Sequence, residues 1–156
     1  MQVSLPSVLI HMIKKRFNQL KTLSLLEWQL LIASAILLPL TALGLHLFGL
    51  KHTQRFMQHF TPNTPTASLR EEQKLQDGLI VARMVSAAAN HGVYRANCLQ
   101  KSLVLCWLLH RRGIKADLRI GVKKENHDLN AHSWAEINGI ALVDNKNTTN
   151  EFYTLV

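Results

Sequence analysis

Apolar positions recur every three or four residues through the first two thirds of the chain and every second residue through the last third, the periods of helix and strand. A short amphipathic stretch, "SVLIHMIKKRFNQL", comes first. Ser24 and Glu27 then form a capping box that opens "SLLEWQLLIASAILLPLTALGLHLFGL". The 21 positions 30–50 hold no Asp, Glu, Lys or Arg, about the length that spans a bilayer. Pro39, Gly44, His46 and Gly49 interrupt the run, which equally suits two shorter helices folded back on a core. A membrane-seated hairpin and a buried helical subdomain both stand open. The Pro- and Thr-rich "TPNTPTA" at 61–67 reads as a linker. Ser68 and Glu71 make another capping box, opening a helix that Gly92 ends. A further helix begins in "RANCLQKSLVLCWLLHRRGI", with Asn97 as N-cap, Gln100 closing the box and Gly113 as the stop. Beyond it, "ADLRIGVK", "AHSWAEI" and "IALVD" read as three antiparallel strands, the last two joined through Asn138-Gly139. The predicted class is α+β: a hydrophobic helical subdomain at 1–60, the linker, and a core at 68–156.

Composition narrows the function. Of 156 residues, 47% are apolar and the formal net charge is +8, so one domain can bury a core and an acidic partner or a membrane surface suits it. The lysines and arginines are scattered and no nucleic-acid motif accompanies them, so no nucleic-acid partner is expected. The apolar run starts too late and is too long for a secretory signal. With both cysteines, Cys98 and Cys106, on one helix, their eight-residue spacing separates them by ~12 Å, beyond disulfide reach. A reducing compartment follows: the cytoplasm, with membrane association through 24–50 left open.

Each thiol then needs its own reason. Cys106, between Leu105 and Trp107, reads as a small buried hydrophobe. Cys98 is the first helical residue, where unpaired amides and the positive end of the helix dipole favour an anion. A thiolate nucleophile needs a base, and the base an orienting group; His132 and Asp144 on successive strands supply them in chain order. A plain two-residue Asn138-Gly139 turn would pair Ile137 with Ile140 and set Asp144 opposite Ser133, facing away from His132. A three-residue loop with a bulge at Gly139 would pair Glu136 with Ile140 instead. His132 then faces Asp144, with Trp134 beside Leu142, and the catalytic reading expects this second register. Asp128 is the next orienter to consider. A zinc site from Cys98, Cys106, His127 and His132 is disfavoured, because Cys-x7-Cys on one helix splays the thiols.

The stretches "CLQKSLVLCWLLHRRGIKADLRIGV" and "AHSWAEINGIALVDN" resemble the transglutaminase-like cysteine-protease core of the B proteins of lasso-peptide maturation. The shared features are Cys-Leu and Ser on a leucine-rich helix, Arg-Arg-Gly-Ile, a Gly-Val strand, Ala-His-x-Trp-x-Glu and a final Asp. Lys101 stands where Arg is usual. The leucine-rich N-terminal part is similar as well. The resemblance implies a leader peptidase with Cys98 as nucleophile, His132 as base and Asp144 as orienter, needing no cofactor or metal. The oxyanion would lie near the Cys98 amide, with Gln100 a candidate second donor. No strand-rich segment resembling the family's winged-helix-like leader-binding domain precedes residue 60. The partners implied are therefore the precursor's leader peptide, a separate leader-binding protein and the ATP-dependent lasso cyclase. Two alternatives remain: a transglutaminase-like acyltransferase using the same triad, and a non-enzymatic small membrane protein with a partner-binding tail.

Overall fold

The computed structural model describes residues 23–59, 70–92, 94–125, 128–142 and 153–154. Within them lie helices α1 (Leu25–His59), α2 (Glu71–His91) and α3 (Cys98–His110), and strands β1 (Asp117–Glu125), β2 (Asp128–Ile137), β3 (Ile140–Ala141) and β4 (Tyr153–Thr154). The strands form one antiparallel sheet in the order β3-β2-β1-β4. The class is α+β, as expected. The N-terminal amphipathic stretch, the 61–67 linker, Ser68, His127 and Asp144 lie outside the described residues.

Helix α3 organises the domain. Ser102 through Cys106, with Leu108 and Leu109, are all buried, so every face of the helix is covered. A helix apolar all round folds only where neighbours enclose it, and here α1, α2 and β2 do so. Its C-terminus closes as a Schellman motif: Ile114 N–H donates to Leu109 O and Gly113 N–H to His110 O, with Gly113 at φ 71°. Ile114 and Leu109 are both fully buried. His110 Nε2 and Ala116 O, 2.8 Å apart, tie this end to the start of β1.

Helix α1 opens at the expected box, with Ser24 N–H donating to Glu27 Oε2 at 2.9 Å. Residues Leu25–Met57 are long and apolar enough to cross a membrane by length and composition, and only part of that length is buried against the rest of the chain. Leu30, Ser34, Leu38 and Thr41 are buried along one face, while Leu40 and Leu47 on the other are 56% and 60% exposed. The chain breaks helical geometry at Gly49 (φ 72°, ψ 176°). Thr53 Cγ2 then stands 3.3 Å from where a Cβ on Gly44 would be. Nine positions apart on a straight helix would mean ~13 Å, so the last turns fold back against the first part. Helix α2 starts two residues later than the Ser68 box implies: its N-cap is Arg70, whose N–H donates to Gln73 Oε1 at 3.3 Å. The C-cap, Gly92, is where it was expected.

The β2–β3 hairpin departs from the catalytic register. Ile137 pairs with Ile140 and Glu136 with Ala141; Leu142 N–H donates to Ala135 O at 2.8 Å. Asn138 (φ 50°) and Gly139 (φ 79°) both take left-handed conformations, which makes the two-residue turn whose twist matches the strands. Asn138 Nδ2 also donates to Glu71 at the start of α2, pinning that turn. Leu142 therefore shares a face with Ala135 and not with Trp134, so the hairpin takes the two-residue-turn register and not the one the catalytic reading expected. The sequence reading also missed β4, which pairs Tyr153 with Val122.

Ala135, Ile137 and Leu142 face the helices and belong to their core. At Gly78 of α2 a Cβ would lie 2.6 Å from Ile137 Cδ1 and 3.3 Å from Leu142 Cδ1, so a hydrogen side chain sets how closely α2 approaches the sheet. Gly78→Val, which adds a branched side chain there, should lower stability by about 1–3 kcal/mol in urea unfolding; an unchanged midpoint would mean that this approach is not needed.

Candidate active site

Cys98 is residue one of α3, and its partly exposed thiol stands where the enclosed helix meets solvent. The chain turns there through a closed capping box. Asn97 Oδ1 accepts from Gln100 N–H at 2.9 Å, and Gln100 Oε1 accepts from Asn97 N–H at 3.0 Å. Tyr94 Oη donates to the same Gln100 oxygen at 3.1 Å. Three residues thus fix the backbone just before the thiol. Lying in the first turn, the amides of Cys98 and Leu99 have no intrahelical acceptor. Gln100 is buried, and its oxygen is taken twice, so the carboxamide orientation is set and its NH2 is the other end.

His132 lies on β2 opposite Gly121. By the alternation of the ladder it shares a face with Trp134 and Glu136, the face turned from the Ala135–Ile137 core. Its ring stacks on Trp134 with centroids 6.2 Å apart. Trp134 Nε1 donates to Glu136 Oε1 at 2.7 Å, and Arg119 Nε donates to Glu136 Oε2 at 3.0 Å. Glu136 is therefore a bracket: it locks the indole that backs the imidazole. The sequence reading quoted this Glu within the His-x-Trp-x-Glu pattern and gave it no role. Its spacing, two residues from Trp134 and opposite Asp117 with Arg119 two further along, was the available signal.

His132 also feels a charge carried by α3. Burial first, and then the Lys101 cation, hold the imidazole below its ordinary 6.5. Lys101 sits in the first turn of α3, three positions after Cys98, so His132 lies within electrostatic range of the turn that carries the thiol. A neutral imidazole near pH 7 is the form that accepts a proton. Asp144, the expected orienter, lies outside the described residues. Cys106 has the opposite character: burial, then the Asp117 charge, pushes its thiol up to about 12. The helix keeps it ~12 Å from Cys98, so the two thiols share neither a bond nor an ion.

Residues 45–156 match the family described as the transglutaminase-like superfamily. The chain belongs to the transglutaminase-like superfamily. No curated protein and no solved structure matches it. Transglutaminase-like proteins are typically cysteine peptidases or acyltransferases, and both chemistries begin with a cysteine attacking an acyl group. In this transglutaminase-like chain the match takes in the fold-back of α1, α2, α3 and the whole sheet.

Two outcomes are expected. Iodoacetamide at pH 8 should label Cys98 and spare Cys106, of which about one in ten thousand is ionised there; faster labelling of Cys106 on the native chain would reverse the assignment. Lys101→Gln removes a repulsive charge, so the His132 pKa, followed by NMR, should rise towards 6.5 without reaching it, since burial is the larger cause. An unmoved titration would break the link between β2 and the first turn of α3.

Proposed function

We propose that this chain is the leader peptidase of lasso-peptide maturation, cleaving a ribosomally made precursor through a Cys98–His132–Asp144 triad. The observation that carries the reading is the position of Cys98: first residue of an enclosed helix, held by the Tyr94–Asn97–Gln100 network, with His132 feeling the charge on that same turn. The family gives the chemistry its class, and the resemblance to the lasso B proteins gives the substrate.

The steps follow from these groups. His132 takes the thiol proton, and the Cys98 sulfur attacks the scissile carbonyl. The Cys98 amide donates to the resulting oxyanion, with the Gln100 NH2 as second donor, and Lys101 adds a favourable charge. The tetrahedral intermediate collapses as His132 returns the proton to the leaving amine. Water, deprotonated by His132, then hydrolyses the thioester and frees Cys98. Asp144 holds the tautomer of His132. The hairpin does not take the three-residue-loop register that would face Asp144 to His132 within the ladder, so this role rests on the chain beyond β3, which ends at Ala141. The precursor is delivered on a separate leader-binding protein, and the cyclase closes the ring downstream.

Cys98→Ala should abolish leader removal, a loss of about a thousandfold or more, with the fold intact by circular dichroism. Asp144→Asn should lower turnover more than binding; if it changes nothing while Asp128→Asn lowers turnover, Asp128 is the orienter. Mass spectrometry with added primary amine separates the two family chemistries. A free carboxylate at the cut is peptidase, and an amine adduct is acyl transfer. The leader-binding protein should lower the apparent KM, because tethering raises the precursor's effective concentration towards the mM range. Full-rate cleavage of dilute precursor by this chain alone would show that no such partner is needed.

A further inference from the structure

We infer that the outer face of α1 docks on an anionic lipid bilayer, lying in the plane of the membrane and not across it. Leu25, Ile32, Ile36, Leu40, Leu43 and Leu47 succeed one another at steps of three, four or seven, and each is between 54% and 85% exposed. Such spacing is one continuous stripe on a helix. Before the break at Gly49 the helix is ~36 Å long, and soluble monomers rarely leave so long an apolar strip open. Trp28 near one end, and Phe48 and Phe56 at the other, are exposed as well; aromatic rings at the limits of an apolar stretch suit a bilayer interface.

The opposite face rules out a span. Leu30 and Leu38 belong to the same core as α2 and α3, and Glu27 is ion-paired with Arg83 of α2. Crossing the bilayer in this arrangement would carry α2, with Asp77 and Arg83, into hydrocarbon, where charged side chains are strongly disfavoured. Lying flat, α1 gives only its exposed half to the acyl chains, ~5–10 Å deep.

Charge selects the lipid. The chain carries +8, and the one carboxylate on the apolar stretch, Glu27, is already paired with Arg83. Lys51 and Arg55 stand exposed just past the Gly49 break, and Lys14, Lys15, Arg16 and Lys21 precede the helix in sequence. The stripe offers no charged position that would set the register of a second helix, as a protein partner requires. A fluid lipid surface requires none.

The test is sedimentation of the full chain with vesicles of phosphatidylcholine alone and of phosphatidylcholine mixed with phosphatidylglycerol. The chain should pellet with the mixed vesicles and much less with the neutral ones, and salt should weaken the binding without abolishing it. Ile36→Gln with Leu40→Gln, both at exposed positions remote from Cys98, should reduce the bound fraction constant about tenfold or more while leaving cleavage of soluble precursor unchanged. A chain that stays in the supernatant with both vesicles overturns the inference. So does equal binding to both, or a dimer in solution that the same two substitutions split, which would assign the stripe to a second copy.

Discussion

Enclosure of α3 is the constraint on which the domain depends. Its helix is apolar on all sides, with Val104 and Leu109 fully out of solvent, and such a helix has no stable surface position. Three different elements must therefore meet around it, α1 and α2 on one side and β2 on the other. That enclosure covers the axis but not the first residue. Whatever occupies the first position stands at the rim of the core, partly open to solvent and next to first-turn amides without intrahelical acceptors. A cysteine there is held by packing that extends along the whole helix, so its position is inherited from the hydrophobic core and not from a flexible loop.

The same economy operates on the strand. His132 is backed by Trp134, Trp134 is locked by Glu136, and Glu136 is neutralised by Arg119. Two of these contacts are between residues i and i+2 on one strand and one is cross-strand, so the bracket is assembled as soon as β1 and β2 pair. Lys101 completes it from the helix. Its ammonium, 3.4 Å from Asn90 Oδ1 of α2, disfavours the imidazolium form of His132.

Local signals in the chain foretold local structure. Asn97 and Gln100 marked the start of α3, Gly92 and Gly113 the ends of α2 and α3, and the change of period marked the sheet. The place of Cys98 followed from those alone. The hairpin register did not follow, and the reason is physical. Asn138 and Gly139 both accept positive φ, so two- and three-residue loops were sterically open. The alternation that usually decides between them fails here, because Trp134 is buried on one face and Ala135 and Ile137 on the other. A strand covered on both sides carries no mark of which face is the core. The start of α2 was misplaced because its N-cap, Arg70, has no side-chain acceptor and so carries no capping signal; the Gln73 side chain alone closes on the Arg70 N–H.

Helices α1 and α3 are nearly matched in apolarity yet end in different environments, and the difference follows from supply. A domain of this size has two further helices and one small sheet with which to enclose α3. Once α2 and β2 are committed to it, α1 can be both a wall of that enclosure and an unenclosed element, since no further described element remains to cover its outer side. Its inner face then shows the adaptations of a wall. Ser34 returns its hydroxyl proton to Leu30 O at 2.7 Å, Thr53 does the same to Gly49 O at 2.8 Å, and Gly44 lets the folded-back turns close on the first segment. Its outer face shows none of the adaptations of a water-facing helix, neither acid–base pairs at i and i+4 nor a polar stripe. The inner face of α1 is fitted to protein contact, and its outer face presents apolar side chains that nothing among the described residues covers.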